Sequence, residues 1–287
     1  MSRPAPLFDA AATRRALIRA RRLAGDRFLE LAAAEGLADR LGAVTRPFTR
    51  GLWLCPPGPD APVHPLLQSF APCWDMARLG PDEDLQAPDA NYDLAVSLFS
   101  LQTVNDLPGV LIQIRRALKP DGLFVAALLG GATLGELREA FAHGEAETLG
   151  GISPRVAPLV DVRDGGALLQ RAGFALPVSD VERLVARYAD VFALAADLRR
   201  HGFTNVMTAR SRKTLRRDTL AAMLTHYGSR HGGADGRIPA RFETLYLTGW
   251  TPHASQQQPL APGSAKARLA DALGVPEGVL KNPPPER

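Results

Sequence analysis

Apolar and polar positions alternate along this chain in two rhythms. From about residue 9 to 45, Leu17, Ile18, Leu23, Phe28 and Leu31 recur at roughly helical spacing through an arginine-rich run, ATRRALIRARRLAGDRF, which predicts docked amphipathic helices. The stretch TRPFTRGLWLC then reads as a short buried strand, and PPGPDAPVHP breaks regular structure after it. After an acidic, turn-prone lead-in comes NYDLAVSLFSLQ, a near-continuous apolar run of the kind a parallel strand shows when both of its faces are covered. LPGVLIQIRRALK predicts a helix opened by Asp106 and Pro108. Val110, Leu111, Ile114 and Leu118 share one side of it, and Arg115, Arg116 and Lys119 sit near its end, where cations suit the helix dipole. Lys119-Pro120-Asp121-Gly122 supplies the stop, and LFVAALLGG is a second buried strand.

Further along, Thr133 and Glu136 are spaced as a capping box at the head of the helix TLGELREAFAHGEAE. DGGALLQRAGFALPVSDVERLVARY reads as helix then strand, and RFETLYLTGWTPH as a final strand. Strand, helix, turn and strand in that order form one right-handed crossover, so the fold class is α/β: a doubly wound, mostly parallel sheet with helices on both faces. The organisation expected is N-terminal helices over 1–45, a main domain over 46–260 with a helical, Arg-rich insertion at about 190–235, and a tail over 261–287. The tail should hold a short helix around Ala265 to Leu273 and a frayed end, NPPPER.

Composition narrows the function classes. The chain has 287 residues, 46% of them apolar, enough to bury a sizeable core. No apolar run approaches the ~20 residues that cross a bilayer. Two cysteines, Cys55 and Cys73, and six scattered histidines give neither a disulfide framework nor metal-ligand spacing, so we expect no metal, a reducing compartment and a cytoplasmic location. The net charge of +4 comes mostly from arginine. No aromatic-interleaved basic stripe accompanies it, which argues against a specific nucleic-acid partner.

Two short motifs carry a family signal. Tyr92-Asp93-Leu94 at the start of one strand and Leu118-Lys119-Pro120-Asp121-Gly122 before the next resemble the second half of a class I S-adenosylmethionine-dependent methyltransferase. VNDLPG, GGATLGELREAF, GGISPRVAPLVDVRDGGALLQRAGF, DGRIPARFETLYLTGW and PHASQQQPLAPGSAKARLADAL extend the likeness from about Phe8 to Leu273. Together they resemble the mitochondrial respiratory complex I assembly factors that hydroxylate an arginine of a complex I subunit, and their alphaproteobacterial relatives. That resemblance implies a Rossmann-like methyltransferase fold, an S-adenosylmethionine pocket, and a protein substrate or assembly partner.

Against that family the chain departs at four places. Where relatives resemble L-D-L-G-C-x-x-G, this chain has Leu52-Trp53-Leu54-Cys55-Pro56-Pro57-Gly58-Pro59, with Trp53 at the acidic position and Cys55 at the first glycine. Proline offers no N–H and fixes φ near −65°, so this loop lacks most of an amide nest; Gly58 alone keeps the needed freedom. Fewer than forty residues separate Cys55 from Tyr92, too few for two full crossovers, and the strand that should end in a ribose-binding acid is the expected casualty. Asp75 is the nearby acid that remains. The loop after the YDL strand reads Ser100-Leu101-Gln102-Thr103 where relatives carry L-H-W, and Ala132 stands where relatives have an aspartate. By the resemblance, the cofactor-binding candidates are Cys55, Gly58, Asp75, Ser100, Leu101 and Gln102; no residue is singled out as catalytic.

Two functions remain open on this reading. One is an S-adenosylmethionine-dependent enzyme that methylates or hydroxylates a protein side chain. The other is a binding module that kept the partner-facing half of the fold and lost its chemistry.

Overall fold

The computed structural model describes residues 5–56 and 61–257. Gly58, the tail helix around 265–273 and NPPPER lie outside the described residues. By internal contacts the chain divides into two units, Met1–His253 and Ala254–Arg287.

The elements of the first unit, in order, are α1 (Ala10–Arg22), α2 (Phe28–Gly42), β1 (Arg50–Leu54), a 3-10 helix (Pro65–Phe70), β2 (Cys73–Ala77), β3 (Tyr92–Leu98), α3 (Leu107–Ala117), β4 (Leu118–Leu129), α4 (Gly135–Leu149), α5 (Val162–Arg171), β5 (Ala175–Tyr188), α6 (Val191–His201), α7 (Arg217–His231) and β6 (Ile238–Trp250). The six strands form one sheet in the order β2-β1-β3-β4-β6-β5. β1 pairs in parallel with β2 and β3, and β3 with β4; β6 runs antiparallel to both β4 and β5. The chain moves one way from β1 to β2 and the other way to β3, so a topological switch point lies at the carboxyl ends of β1 and β3, where open α/β sheets bind ligands.

The period-2 alternation of the strands divides the core. Leu52, Ala95, Phe124, Ala126 and Leu247 face α3 and α5, and Trp53, Leu94, Val96, Val125 and Tyr246 face α2. A third cluster over the far end of β6 gathers Leu137, Leu194, Leu198, Tyr227 and Phe242 from α4, α6, α7 and the sheet. Close packing of α2 on the sheet is set by Gly36, where an added Cβ would stand 2.2 Å from the Tyr246 hydroxyl.

Several local expectations change. β2 exists and pairs fully with β1, so the strand thought lost survives; what is missing is a helical crossover and a further strand between Ala77 and Tyr92, a span that holds only the Leu79–Leu85 bridge. Residues 118–122 do not form a tight stop but run extended into β4, with Asp121 in the left-handed region at φ 61°. Thr133 and Glu136 make no capping box. The Thr133 hydroxyl is instead held against the backbone of Glu243, and Glu136 pairs with Arg241. Asp106 caps α3 by accepting from the Gly109 N–H at 2.9 Å, whereas Asn105 ties Phe8 to Glu83.

Candidate functional site

Two cavities open at the carboxyl ends of β1, β3 and β4, separated by Leu17, Phe99 and Phe203, which line both. Phe99 directly follows β3 and sits at φ 51°, a conformation that costs a non-glycine residue of order 1 kcal/mol and recurs at ligand sites. Its ring meets Phe203 edge to face, with centroids 5.4 Å apart. Phe203 comes next to Gly202, which ends α6 at φ 78° and so turns the chain back over the sheet.

The smaller cavity, about 80 Å³, lies beside β1, where the switch point predicts a ligand. Trp53 fills much of that region. Its indole is 3% exposed and donates to the Ala61 carbonyl at 2.9 Å. Cys55 is buried as well: its N–H donates to the Ala77 carbonyl at 2.8 Å and its thiol approaches the Ala61 carbonyl at 3.5 Å. Burial pushes that thiol above its ordinary pKa, against the weaker pull of the Ala61 contact, so Cys55 stays protonated. On the far wall His201 is buried between Phe28 (edge, 5.4 Å) and Phe203 (stacked, 5.7 Å). Burial lowers its pKa against the opposing field of Asp197, whose carboxylate stands 3.9 Å away; at neutral pH the imidazole is an uncharged proton acceptor. Asp197 also accepts from the Tyr188 hydroxyl at 2.6 Å, and burial followed by that bond raises the phenol pKa.

The larger cavity, about 240 Å³, lies over the ends of β3 and β4. Leu129, Leu134, Leu137, Val156, Leu198 and Val206 give it an apolar wall. Leu134, like Phe99, has positive φ, at 56°. The loop before α5 is fixed by Arg155, whose guanidinium pairs with Glu145 at 2.5 Å and lies over the Phe141 ring. Burial works against the charge on Glu145, yet hydrogen bonds from Ser153 and Arg155 outweigh it and hold the carboxyl below the usual carboxylate range.

The sequence candidates scatter across this framework. Asp75 sits in mid-strand, opposite Leu52. Its carboxylate is engaged by Arg50 at 2.6 and 3.0 Å and by the Tyr92 hydroxyl at 3.1 Å, toward the amino ends of β1 and β3 and away from the switch point. The residue following β2, where a ribose acid would stand, is Arg78. Ser100 shares a 2.6 Å hydrogen bond with Ser97 and is buried, and Leu101 packs in the core beneath α3. Of the five candidates among the described residues, Gln102 alone lines the larger cavity. Sequence reading missed Phe99, Phe203, His201 and Asp197. The i,i+4 spacing of Asp197 and His201 on a helix was visible, but nothing local said that this face would close over β1.

Tested against S-adenosylmethionine, the described residues do not fit it in this arrangement. Sites for ligands of that size run to about 300 Å³ or more. Here the crevice holds about 80 Å³, Trp53 occupies the acidic position, Pro56 has no N–H, and the residue directly after β2 is Arg78 rather than a carboxylate.

Sequence comparison supplies the rest. A methyltransferase-domain family model matches residues 69–126. Over 190 residues the chain is 40% identical to the arginine-hydroxylase NDUFAF5, mitochondrial, of Danio rerio, covering 66% of this chain and 59% of that protein. The central segment of the chain thus matches a methyltransferase domain. The chain is also 36% identical over 181 residues to the malonyl-[acyl-carrier protein] O-methyltransferase of Laribacter hongkongensis, covering 63% of this chain and 58% of that one. It thus spans about three fifths of the length of these curated relatives. Among solved structures, the 1,6-didemethyltoxoflavin-N1-methyltransferase of Burkholderia thailandensis aligns at TM-score 0.44 and 14% identity over 88% of this chain and 94% of that one. The sheet order with an antiparallel β6 is the Rossmann-like architecture expected of the superfamily.

Proposed function

We propose that this chain is a methyltransferase-superfamily assembly factor of respiratory complex I that acts on a protein partner, with S-adenosylmethionine as its cofactor. The observation that carries this reading is the 40% identity over 190 residues to a protein named an arginine-hydroxylase. The geometry adds a cavity above β3 and β4, on the side of the sheet where a substrate group would enter. The reaction is a modification of a polypeptide side chain, methylation or hydroxylation. No described helix is long and apolar enough to cross a membrane. We infer a cytoplasmic location from its sparse cysteines, which suit a reducing compartment.

The binding module without chemistry is not favoured, because relatives at 36% and 40% identity are named for catalytic activities. The filled crevice nevertheless sets a condition on the enzyme: cofactor binding requires Trp53 or Phe203 to withdraw. Calorimetric titration with S-adenosylmethionine tests this. Micromolar binding supports the enzyme, and no heat at millimolar cofactor overturns it.

A further inference from the structure

The helix α1 contains no acidic residue and buries Thr13, Ala16 and Ala20 on one side, where it packs against α6. Arg15, Arg19 and Arg22 recur at i, i+4 and i+7, so they form an exposed stripe on another side, roughly 10 Å long. None of the three makes an ion pair among the described residues. Of the acids that flank the helix in sequence, Asp9 is taken by Arg210 at 3.0 Å and Arg212 at 3.7 Å, and feels Arg15 only as a weaker, longer-range field. Glu30 is taken by Arg27 at 3.5 Å, and exposed Asp26 pairs with none of them. Folding gives little reason for the stripe. Arg15 with Arg19, and Arg19 with Arg22, are like-charge neighbours that weaken a helix, and Arg15 lies ahead of the last turn, where the dipole would favour a cation.

The stripe also stands beside the candidate site. Thr13 and Leu17 of α1 line the larger cavity, and so does Arg199, exposed on α6 and without an ion pair among the described residues. Arg15, Arg19 and Arg22 are therefore within about one helix width, ~10 Å, of that cavity. We propose that the outward face of α1 docks an acidic segment of the protein partner, next to the point where the partner's side chain enters. The inference rests on the proposed function in taking the larger cavity as that point of entry. A membrane surface suits the helix less well, because its apolar residues are turned toward α6 and the cavity and leave little to insert. Nucleic acid suits it less well too, since residues 10–22 hold no aromatic ring on which a base could stack.

The test uses the full chain and an alternating glutamate–glycine peptide, with the glutamine–glycine peptide as the neutral probe, followed by NMR at physiological ionic strength, where screening acts over about 8 Å. The acidic peptide should shift resonances of α1 and Arg199, and the neutral one should shift none. An exposed ion pair changes affinity by about 1.4-fold to fivefold, so Arg15→Gln, Arg19→Gln and Arg22→Gln combined should weaken peptide binding by about fivefold or more. The control combines Arg163→Gln, Arg171→Gln and Arg237→Gln, three exposed arginines elsewhere, and removes the same charge; its affinity should stay within about twofold of wild type. Equal losses in the two variants, or shifts spread evenly over the surface arginines, would overturn the inference. So would tighter binding through the same three residues by a DNA duplex of matched charge, or by vesicles of phosphatidylcholine and phosphatidylserine. The S-adenosylmethionine titration does not involve the stripe, so a failure of docking and a failure of the enzyme reading are told apart.

Discussion

Glu145 offers the sharpest test of how the cavity wall is held. It lies on α4 with 0% exposure and receives the Ser153 N–H at 2.6 Å, the Ser153 hydroxyl at 2.6 and 2.8 Å, and Arg155 through Nε at 2.7 Å and Nη2 at 2.5 Å. Replacing it with alanine strips every one of these donors of its acceptor and leaves the Arg155 guanidinium, whose side chain is 19% exposed, without its counter-charge. Breaking a buried pair from one side costs about 3–5 kcal/mol, because the surviving charge stays desolvated. For a domain of this size that corresponds to a fall in Tm of about 10 °C. Urea unfolding at pH 7 should show the loss as a lower midpoint at unchanged slope. Adding Arg155→Met to Glu145→Ala should recover part of it, since the orphaned charge is then gone. The pH dependence has a definite sign. Because the folded carboxyl titrates below its ordinary range, its stabilisation is complete above the unfolded carboxylate pKa and is lost as pH falls through the folded value, so wild type and Glu145→Gln should converge in acid. A loss under about 1 kcal/mol at pH 7, or a gap that widens in acid, would refute the argument.

Three further outcomes rest on single contacts. Gly36→Ala drives a Cβ into the buried Tyr246 hydroxyl, which α2 and Arg40 hold in place, and should cost about 1–3 kcal/mol by urea titration. Asp75→Asn should lower stability by about 1 kcal/mol or less, the value of a half-exposed pair with Arg50, and should leave S-adenosylmethionine affinity as it is in wild type, because the carboxylate points away from the switch point. Under iodoacetamide, exposed Cys73 should be alkylated well before Cys55, whose buried thiol is held protonated; equal rates by mass spectrometry would contradict that burial.

Most of the sheet was legible because its strands announce themselves within a few residues; β2, short and half-exposed with Asp75 at its centre, did not and was expected to be lost. β3 and β4 are apolar runs bounded by turn signals, and their covered faces follow from length and composition alone. Capping was less legible, since Thr133 has the right spacing for a box, but the neighbouring β6 offers its hydroxyl a better partner in the Glu243 backbone. Asp75 misled for the opposite reason. Its position near β1 in sequence is real, yet a strand has two ends, and only the register Leu52 to Asp75 tells which end an acid occupies.

The site itself was hidden because no single segment contains it. Trp53 could be read as a lost acid, but the consequence of that loss depends on residues far along the chain. An indole on this strand needs both an acceptor and apolar cover. Ala61 supplies the acceptor, and α2 together with the 3-10 segment supplies the cover, so the crevice beside β1 becomes part of the core. Phe203 and His201 then meet a largely closed floor, and Phe99, held at positive φ, stacks its edge against Phe203 to divide the remaining space. The larger volume is left on the β4 side, under Arg155 and Arg199. A difference that reads locally as the absence of one carboxylate therefore acts across the site: the indole narrows the crevice beside β1, and the cavity over the ends of β3 and β4 is left as the roomier of the two.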